Sequence, residues 1–260
     1  MLSASDLVYC VGRRRILDRV SAAFDPGRLH LIIGPNGAGK STLVKLLARL
    51  IVPDTGDVRY GGADAQTLTH RDLARRRAVL SQAVEVAFPI PARELVMMGR
   101  YPHFTGRPSA ADEEICDEVM DFFDVTGLAG QSYATLSGGE KQRVNFARVL
   151  AQVWRPIVEG CRYLFLDEPL TFLDIGHQLG FMRKVRSFAD QPDMIVVGVV
   201  HDLNLAARFA DRLVLIDDGR VAAAGAPEDV LTPEHLQKAF HVQPIAVRNP
   251  ADGGLHLIFE

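Results

Sequence analysis

The chain has 260 residues, 48% hydrophobic and 23% charged, with a net charge of −3 and a pI near 6.2. That is enough for one large domain or two small ones around a sizeable core, and the acidic balance excludes a broad basic footprint for nucleic acid. Three cysteines, Cys10, Cys116 and Cys161, form no C-x-x-C pair and suit a reducing compartment; no apolar run reaches the ~18 residues of a spanning helix, and no leader pattern opens the chain.

Residues 6–9 and 16–24 read as two strands around a polar turn at Gly12. Tyr9 is either a half-buried strand tyrosine or an aromatic face for a base bound downstream. Arg13-Arg14-Arg15 and Arg75-Arg76-Arg77 read as solvated faces, with contacts to nucleotide or lipid head groups as the alternative. An apolar strand, 29–33, then runs into Gly34-Pro35-Asn36-Gly37-Ala38-Gly39-Lys40-Ser41-Thr42 and a helical pattern over 43–50. Strand, glycine-rich loop, helix is the context that a phosphate-binding loop requires. The glycines let the backbone wrap a triphosphate closely. Loop N–H groups and the positive end of the helix face the anion. Lys40 can reach the outer phosphates, and the Ser41 hydroxyl can ligand Mg²⁺.

A turn at 53–57 leads to a hairpin strand at 58–60, a polar helical stretch at 70–77, and a strand at 78–81 ending at Gln82. Phe88-Pro89-Ile90-Pro91 then breaks the pattern. Helical stretches follow at 92–98, 111–123 and 138–153, with no strand pattern between 85 and 160. In the second of them Ile115, Val119, Phe122 and Phe123 recur at helical spacing, while Asp112, Glu113 and Glu114 occupy its first turn, where the helix dipole favours acids. The α/β pattern resumes with a strand at 162–166, a helix at 175–189, a buried strand at 194–200 and a short helix at 203–209. Strands at 212–216 and 220–224 are joined by Asp218-Gly219. Pro227 and Pro233 mark helix starts, and 243–260 suggests a last hairpin through Asp252-Gly253-Gly254. The expected fold is α/β, with a helical subdomain inserted into the core.

Tyr163-Leu164-Phe165-Leu166 leads straight into Asp167-Glu168-Pro169. A buried strand ending in two acids places them at the carboxyl edge of the sheet, where α/β folds bind ligands. Successive side chains diverge, so the acids can have different tasks. Asp167 suits Mg²⁺ through water, and Glu168 suits general-base polarisation of an attacking water. Alone the pair would read as a helix cap; the phosphate loop upstream favours the chemistry. Leu136-Ser137-Gly138-Gly139-Glu140 opens a helix with a good N-cap. In this company it reads as a second anion-binding helix terminus. If one γ-phosphate is held by both Lys40 and Ser137, two copies of the chain must share each site. His201, after the strand at 194–200, either reaches that phosphate or is a satisfied helix-start histidine. The other seven histidines show no ligand spacing.

With these pieces in order, the chain resembles the ATP-binding subunit of ATP-binding-cassette (ABC) transporters over nearly its whole length. Gly34 to Thr42 match the Walker A motif, Gln82 the Q-loop, Leu136 to Glu140 the family signature, and Tyr163 to Glu168 the Walker B motif. Thr171-Phe172-Leu173-Asp174 match the D-loop and His201 the switch histidine. The resemblance implies a P-loop NTPase core with an antiparallel β subdomain and an inserted helical subdomain. It implies one ATPase domain over 1–260, with the core in 1–84 and 161–260 and the helical part in 85–160. It implies a head-to-tail homodimer that sandwiches two ATP molecules. Tyr9 and residues 34–42 of one copy would hold each nucleotide together with Ser137, Gly138, Gly139 and Asp174. Glu168, His201 and Gln82 would be catalytic, and Ser41, Gln82 and Asp167 would hold Mg²⁺. The partners implied are two membrane permease subunits and, indirectly, a periplasmic binding protein, with the chain on the cytoplasmic face of the inner membrane and no nucleic acid involved.

The branch is readable as well. Phe88-Pro89-Ile90, Glu94-Leu95-Val96, Gly99-Arg100-Tyr101-Pro102-His103 and His201-Asp202-Leu203-Asn204-Leu205-Ala206 look like importers of iron chelates and cobalamin. Arg148-Val149-Leu150-Ala151-Gln152-Val153-Trp154, with the extra segment to Cys161, is similar to haem-import ATPases; ferric siderophore or cobalamin import is the alternative. Leu170 and Phe172 depart from the family pattern, which commonly has a threonine and a small residue there. A DNA-repair relative would need a coiled-coil insertion, and a small-molecule kinase would leave the signature helix and His201 without a role.

Overall fold

In the computed structural model, residues 1–80, 89–170, 173–248 and 254–259 are described. The first half runs β1 (Leu2–Val11), β2 (Arg14–Phe24), β3 (Arg28–Ile33), α1 (Lys40–Leu47), β4 (Thr55–Tyr60), β5 (Ala63–Asp64), α2 (His70–Arg76), β6 (Arg77–Leu80), α3 (Ala92–Met97), α4 (Ala110–Phe122) and α5 (Gly138–Ala151). The second runs β7 (Arg162–Leu166), α6 (Ile175–Ala189), β8 (Met194–Val199), α7 (Leu203–Phe209), β9 (Arg212–Asp217), β10 (Arg220–Gly225), α8 (Pro227–Val230), α9 (Pro233–Phe240), β11 (Ile245–Arg248) and β12 (Leu255–Ile258).

The central sheet has the order β10-β9-β3-β8-β7-β6, parallel except for the β9–β10 hairpin. Its inner strands are buried on both faces, as parallel sheets covered on both sides must be. Alternation splits their side chains between two cores. Leu29, Leu31 and Ile33 of β3, Leu164 and Leu166 of β7, and Met194 and Val196 of β8 join the core that includes the helices of the 92–151 stretch. Ile32, Tyr163, Phe165, Ile195 and Val197 face the other way, onto α1 and the antiparallel sheet β2-β1-β4-β5.

Strand β1 is longer than the 6–9 stretch legible in the sequence. Its register shifts between Ala4 and Leu7, and Asp6 has φ +48°. Such a bulge breaks the period-2 alternation, so the residues before it do not read as the same strand. Among the described residues, helices and an isolated bridge, Pro91 to Ser132, occupy the chain between β6 and β7. Here α3, α4 and α5 pack on one another, and Gly99 permits the approach: a Cβ there would lie 2.0 Å from the carbonyl oxygen of Arg148. The Arg100–Asp112 ion pair, 3.0 Å and buried at both ends, ties this stretch to α4, and Arg100 also donates to Ala151 O at 2.7 Å.

Arg162, at 0% exposure, fastens the end of the helical stretch to the sheet. Its Nη1 donates to the carbonyls of Val153 (2.7 Å) and Trp154 (2.8 Å). Its Nε and Nη2 form a fork on Asp193, both at 2.7 Å, and Nη2 also reaches Gln191 at 2.5 Å. All five guanidinium donors are thereby used. The last hairpin, β11–β12, docks on α7: the Asn204 side chain accepts from Leu257 N (2.7 Å) and donates to Leu257 O (3.0 Å), acting as a short piece of neighbouring strand. The three cysteines are free, and no described helix is long and apolar enough to cross a membrane.

Candidate functional site

The loop between β3 and α1 owes its path to glycine. Gly34 has φ +150°, and a Cβ there would lie 2.1 Å from the carbonyl oxygen of Ile216 in β9. At Gly39, φ +103°, a Cβ would meet Leu17 Cδ2 at 2.7 Å and Ile16 O at 2.9 Å. The loop is thus clamped between the central sheet and β2. Gly219, at the turn between β9 and β10, completes the clamp by donating its N–H to Ala38 O at 3.1 Å and accepting from Asp18 N at 2.9 Å.

Lys40 opens α1 with only 5% exposure. Its Nζ donates to the carbonyls of Gly34 (2.9 Å) and Pro35 (2.8 Å), folding the side chain back over the loop. Burial pulls its pKa below the ordinary lysine value, while the nearby carboxylates of Glu168 and Asp167 oppose that shift. Helix α1 has no side-chain cap and no acid in its first turn. Its first N–H groups and dipole are therefore available to an anion, and nothing lies within 4 Å of where a Cβ would sit on Gly37. Ser41 and Thr42 follow in the first turn of α1.

Parallel pairing of β3, β8 and β7 brings the next groups to the same edge. Asp167 and Glu168 leave the end of β7, and His201 leaves the end of β8. His201 Nε2 lies 2.8 Å from Glu168 Oε1. A cavity of about 230 Å³ adjoins them, lined also by Leu170, Gln178, Asp202 and Leu205. Glu168 has φ +52°, and the residue after it is Pro169. A non-glycine residue held there costs of order 1–3 kcal/mol and is stored at functional sites more often than elsewhere. Asp167 Oδ1 is buried with no hydrogen-bond partner. An orphaned carboxylate oxygen beside a phosphate loop fits an oxygen-seeking cation such as Mg²⁺.

Ser137 caps α5. Its hydroxyl donates to Glu140 Oε2 at 2.7 Å and accepts from Glu140 N at 3.4 Å, and that hydroxyl holds the Glu140 carboxyl below its usual pKa. Positions for a Cβ on Gly138 and Gly139 are open. Among the described residues no hydrogen bond joins Ser137, Gly138 or Gly139 to the loop at 34–42. Asp174 caps α6, accepting from His177 N at 2.9 Å with His177 Nδ1 2.7 Å from its other oxygen; these contacts depress its pKa. Tyr9 lies in β1 opposite Leu17, the residue that abuts Gly39, and packs partly on the core beneath. Gln82, Thr171 and Phe172 lie outside the described residues.

Two residues of this site carried no readable signal in the sequence. Gly219 passed for an ordinary hairpin turn, because its partner Ala38 is far away in the chain. Gln142 of α5 donates from Nε2 to Pro169 O at 2.6 Å, directly behind the strained acid.

A family model described as "ABC transporter" matches residues 17–171. The chain belongs to the ABC transporter family. This ABC ATPase is 42% identical over 252 residues to the hemin import ATP-binding protein HmuV of Escherichia coli O157:H7, covering 97% of this chain and 96% of that protein. To the protein of the same name from Gloeobacter violaceus it is 44% identical, covering 97% and 92%. Among solved structures, it superposes on a metal-chelate type ABC transporter in an inward-facing conformation with a TM-score of 0.83 at 23% identity, covering 100% of this chain and 97% of that one. It also matches the dimeric structure of a bacterial ABC transporter cassette with a TM-score of 0.75 at 25% identity, covering 87% and 99%. The ABC ATPase thus has the cassette fold and binds ATP.

Proposed function

We propose that this ABC ATPase is the ATP-hydrolysing subunit of an importer of haem, working as a homodimer beneath two permease subunits at the cytoplasmic face of the inner membrane, with a periplasmic haem-binding protein acting upstream. The observation that carries haem is the 42–44% identity, over almost the full length, to proteins named for hemin import. A dimeric cassette among the similar structures supports pairing.

In this reading residues 34–42 cradle the phosphates, with Lys40 on the outer ones and Tyr9 near the base. Ser41, Asp167 and Gln82 hold Mg²⁺, which supplies charge neutralisation at the phosphate oxygens when bound. Glu168 takes the proton of the attacking water, and His201 fixes its carboxylate and faces the terminal phosphate. Ser137, Gly138 and Gly139 of the second copy close the site, with Asp174 beside the junction. Residues 1–84 with 161–260 form the core, and 85–160 form the helical part that meets the permease.

The test is growth of a strain whose native copy carries Glu168→Gln. Failure on haem, with normal growth on a ferric siderophore and on inorganic iron, is expected. Failure on the siderophore alone moves the chain to that branch, and normal growth on every source counts against iron uptake.

A further inference from the structure

We infer that Gln142 is a positioning residue for Glu168, through which the start of α5 controls the attitude of the acid; the inference rests on the reading of Glu168 as general base. Glu168 has φ +52° one residue before a proline. The proline ring already narrows the conformations open to that residue. Such a backbone persists only when the peptides on each side are held. On one side Asp167 N donates to Leu80 O at 2.9 Å. On the other, Pro169 O accepts from Gln142 Nε2 at 2.6 Å. The carboxylate itself meets His201 at 2.8 Å. Further along, Gln178 Nε2 donates to Leu170 O at 3.4 Å and to Leu173 O at 3.0 Å, so those two carbonyls are held by α6 instead.

The bond to Pro169 therefore comes from a different element than the others. Gln142 lies five residues after Ser137, on the helix whose first turn presents Ser137, Gly138 and Gly139. In a homodimer those residues serve the nucleotide of the other copy. A shift of the α5 start by about 1 Å would carry the Gln142–Pro169 pair out of hydrogen-bond range and release the peptide that keeps Glu168 in place. Engagement of α5 at one nucleotide is thereby read by the acid that acts on the other.

The experiment measures ATP turnover by the purified full-length chain. Gln142→Met keeps the length and removes the donor; Gln142→Lys restores one. Gln142→Met is expected to lower kcat tenfold or more with KM for ATP within twofold of wild type, and to bring the Hill coefficient towards one. Gln142→Lys is expected to regain most of that loss. Should Gln142→Met not fold, Gln142→Glu takes its place, being equally long and unable to donate at neutral pH. A wild-type kcat in the donor-less variant, or a loss that Gln142→Lys does not restore, overturns the proposal. Glu168→Gln is measured alongside. If it turns over ATP normally, the reading of the acid fails; if it is inactive while Gln142→Met behaves as wild type, only the role of Gln142 falls.

Discussion

His201 Nε2 lies 2.8 Å from Glu168 Oε1, across the gap between the ends of β8 and β7, which are hydrogen-bonded neighbours in the parallel sheet. The two side chains meet because the sheet ends both strands at one edge, although 33 positions separate them in the sequence. If Glu168 is the base, as proposed, its removal should cost turnover alone. Glu168→Gln is expected to lower kcat by about 10²–10⁴ while the Kd for ATP stays within a few-fold. His201→Ala should share the loss of kcat, since it frees the same carboxylate. Single-turnover hydrolysis beside equilibrium nucleotide binding separates the two quantities, and a parallel loss of affinity would assign both residues to binding instead.

At Gly34 the expectation is structural first and functional second. An added Cβ has the Ile216 carbonyl 2.1 Å away, so the loop or β9 must move. Gly34→Ala should abolish tight ATP binding and lower the melting temperature. Lys40→Met, by contrast, leaves the loop glycines in place, so it should lose ATP affinity with a far smaller change in melting temperature. Calorimetric melting with and without nucleotide distinguishes the two.

Gly99 gives a prediction remote from the nucleotide loop. Its Cβ would sit 2.0 Å from Arg148 O, in the seam between the 98–100 turn and α5. Gly99→Ala is expected to destabilise by about 1–3 kcal/mol, the usual range for overpacking. For a chain of this size each kcal/mol moves the melting temperature by about 2–4 °C. An unchanged melting curve would show that the seam is loose.

Arg162 is buried with all five donors engaged, and Asp193 carries the compensating charge at 2.7 Å. Arg162→Ala strands that carboxylate and three other acceptors, at a cost of about 3–5 kcal/mol. The pH dependence has a definite sign. Arg162 holds the Asp193 carboxyl below its ordinary pKa. Stabilisation by the charged carboxylate is therefore complete above the unfolded value of about 4 and is lost as pH falls through the lower folded value. The stability gap between wild type and Asp193→Asn should stay constant near neutrality and shrink below about pH 4, as denaturant titrations at several pH values will register.

Asn204 ties the last hairpin to α7 by paired bonds to Leu257. In Asn204→Ala the amide of Leu257 is expected to exchange with solvent much faster, while core strand amides such as that of Val196 keep their protection. Equal acceleration in both places would mean that the hairpin supports the whole fold.

The sequence by itself determined the order of elements and the residue types placed at each loop. The glycine spacing of 34–39, the acids after Leu166 and the Ser137 cap are local patterns, and each side chain's type and immediate neighbours limit what it can do. The apolar runs of β3, β7 and β8 were equally local, since burial on both faces leaves a continuous apolar stretch. The strand before Asp6 was hidden because a bulge breaks the very periodicity that reveals a strand. What only the tertiary structure decided are the pairings between distant parts: Glu168 with His201, Gly34 against Ile216, Gly219 on Ala38, Gln142 behind Pro169 and Arg162 on Asp193. A glutamine or a glycine has the same sequence signature whether it meets water or a carbonyl. Its partner is chosen by sheet order and helix packing, which are long-range results of burying two cores at once.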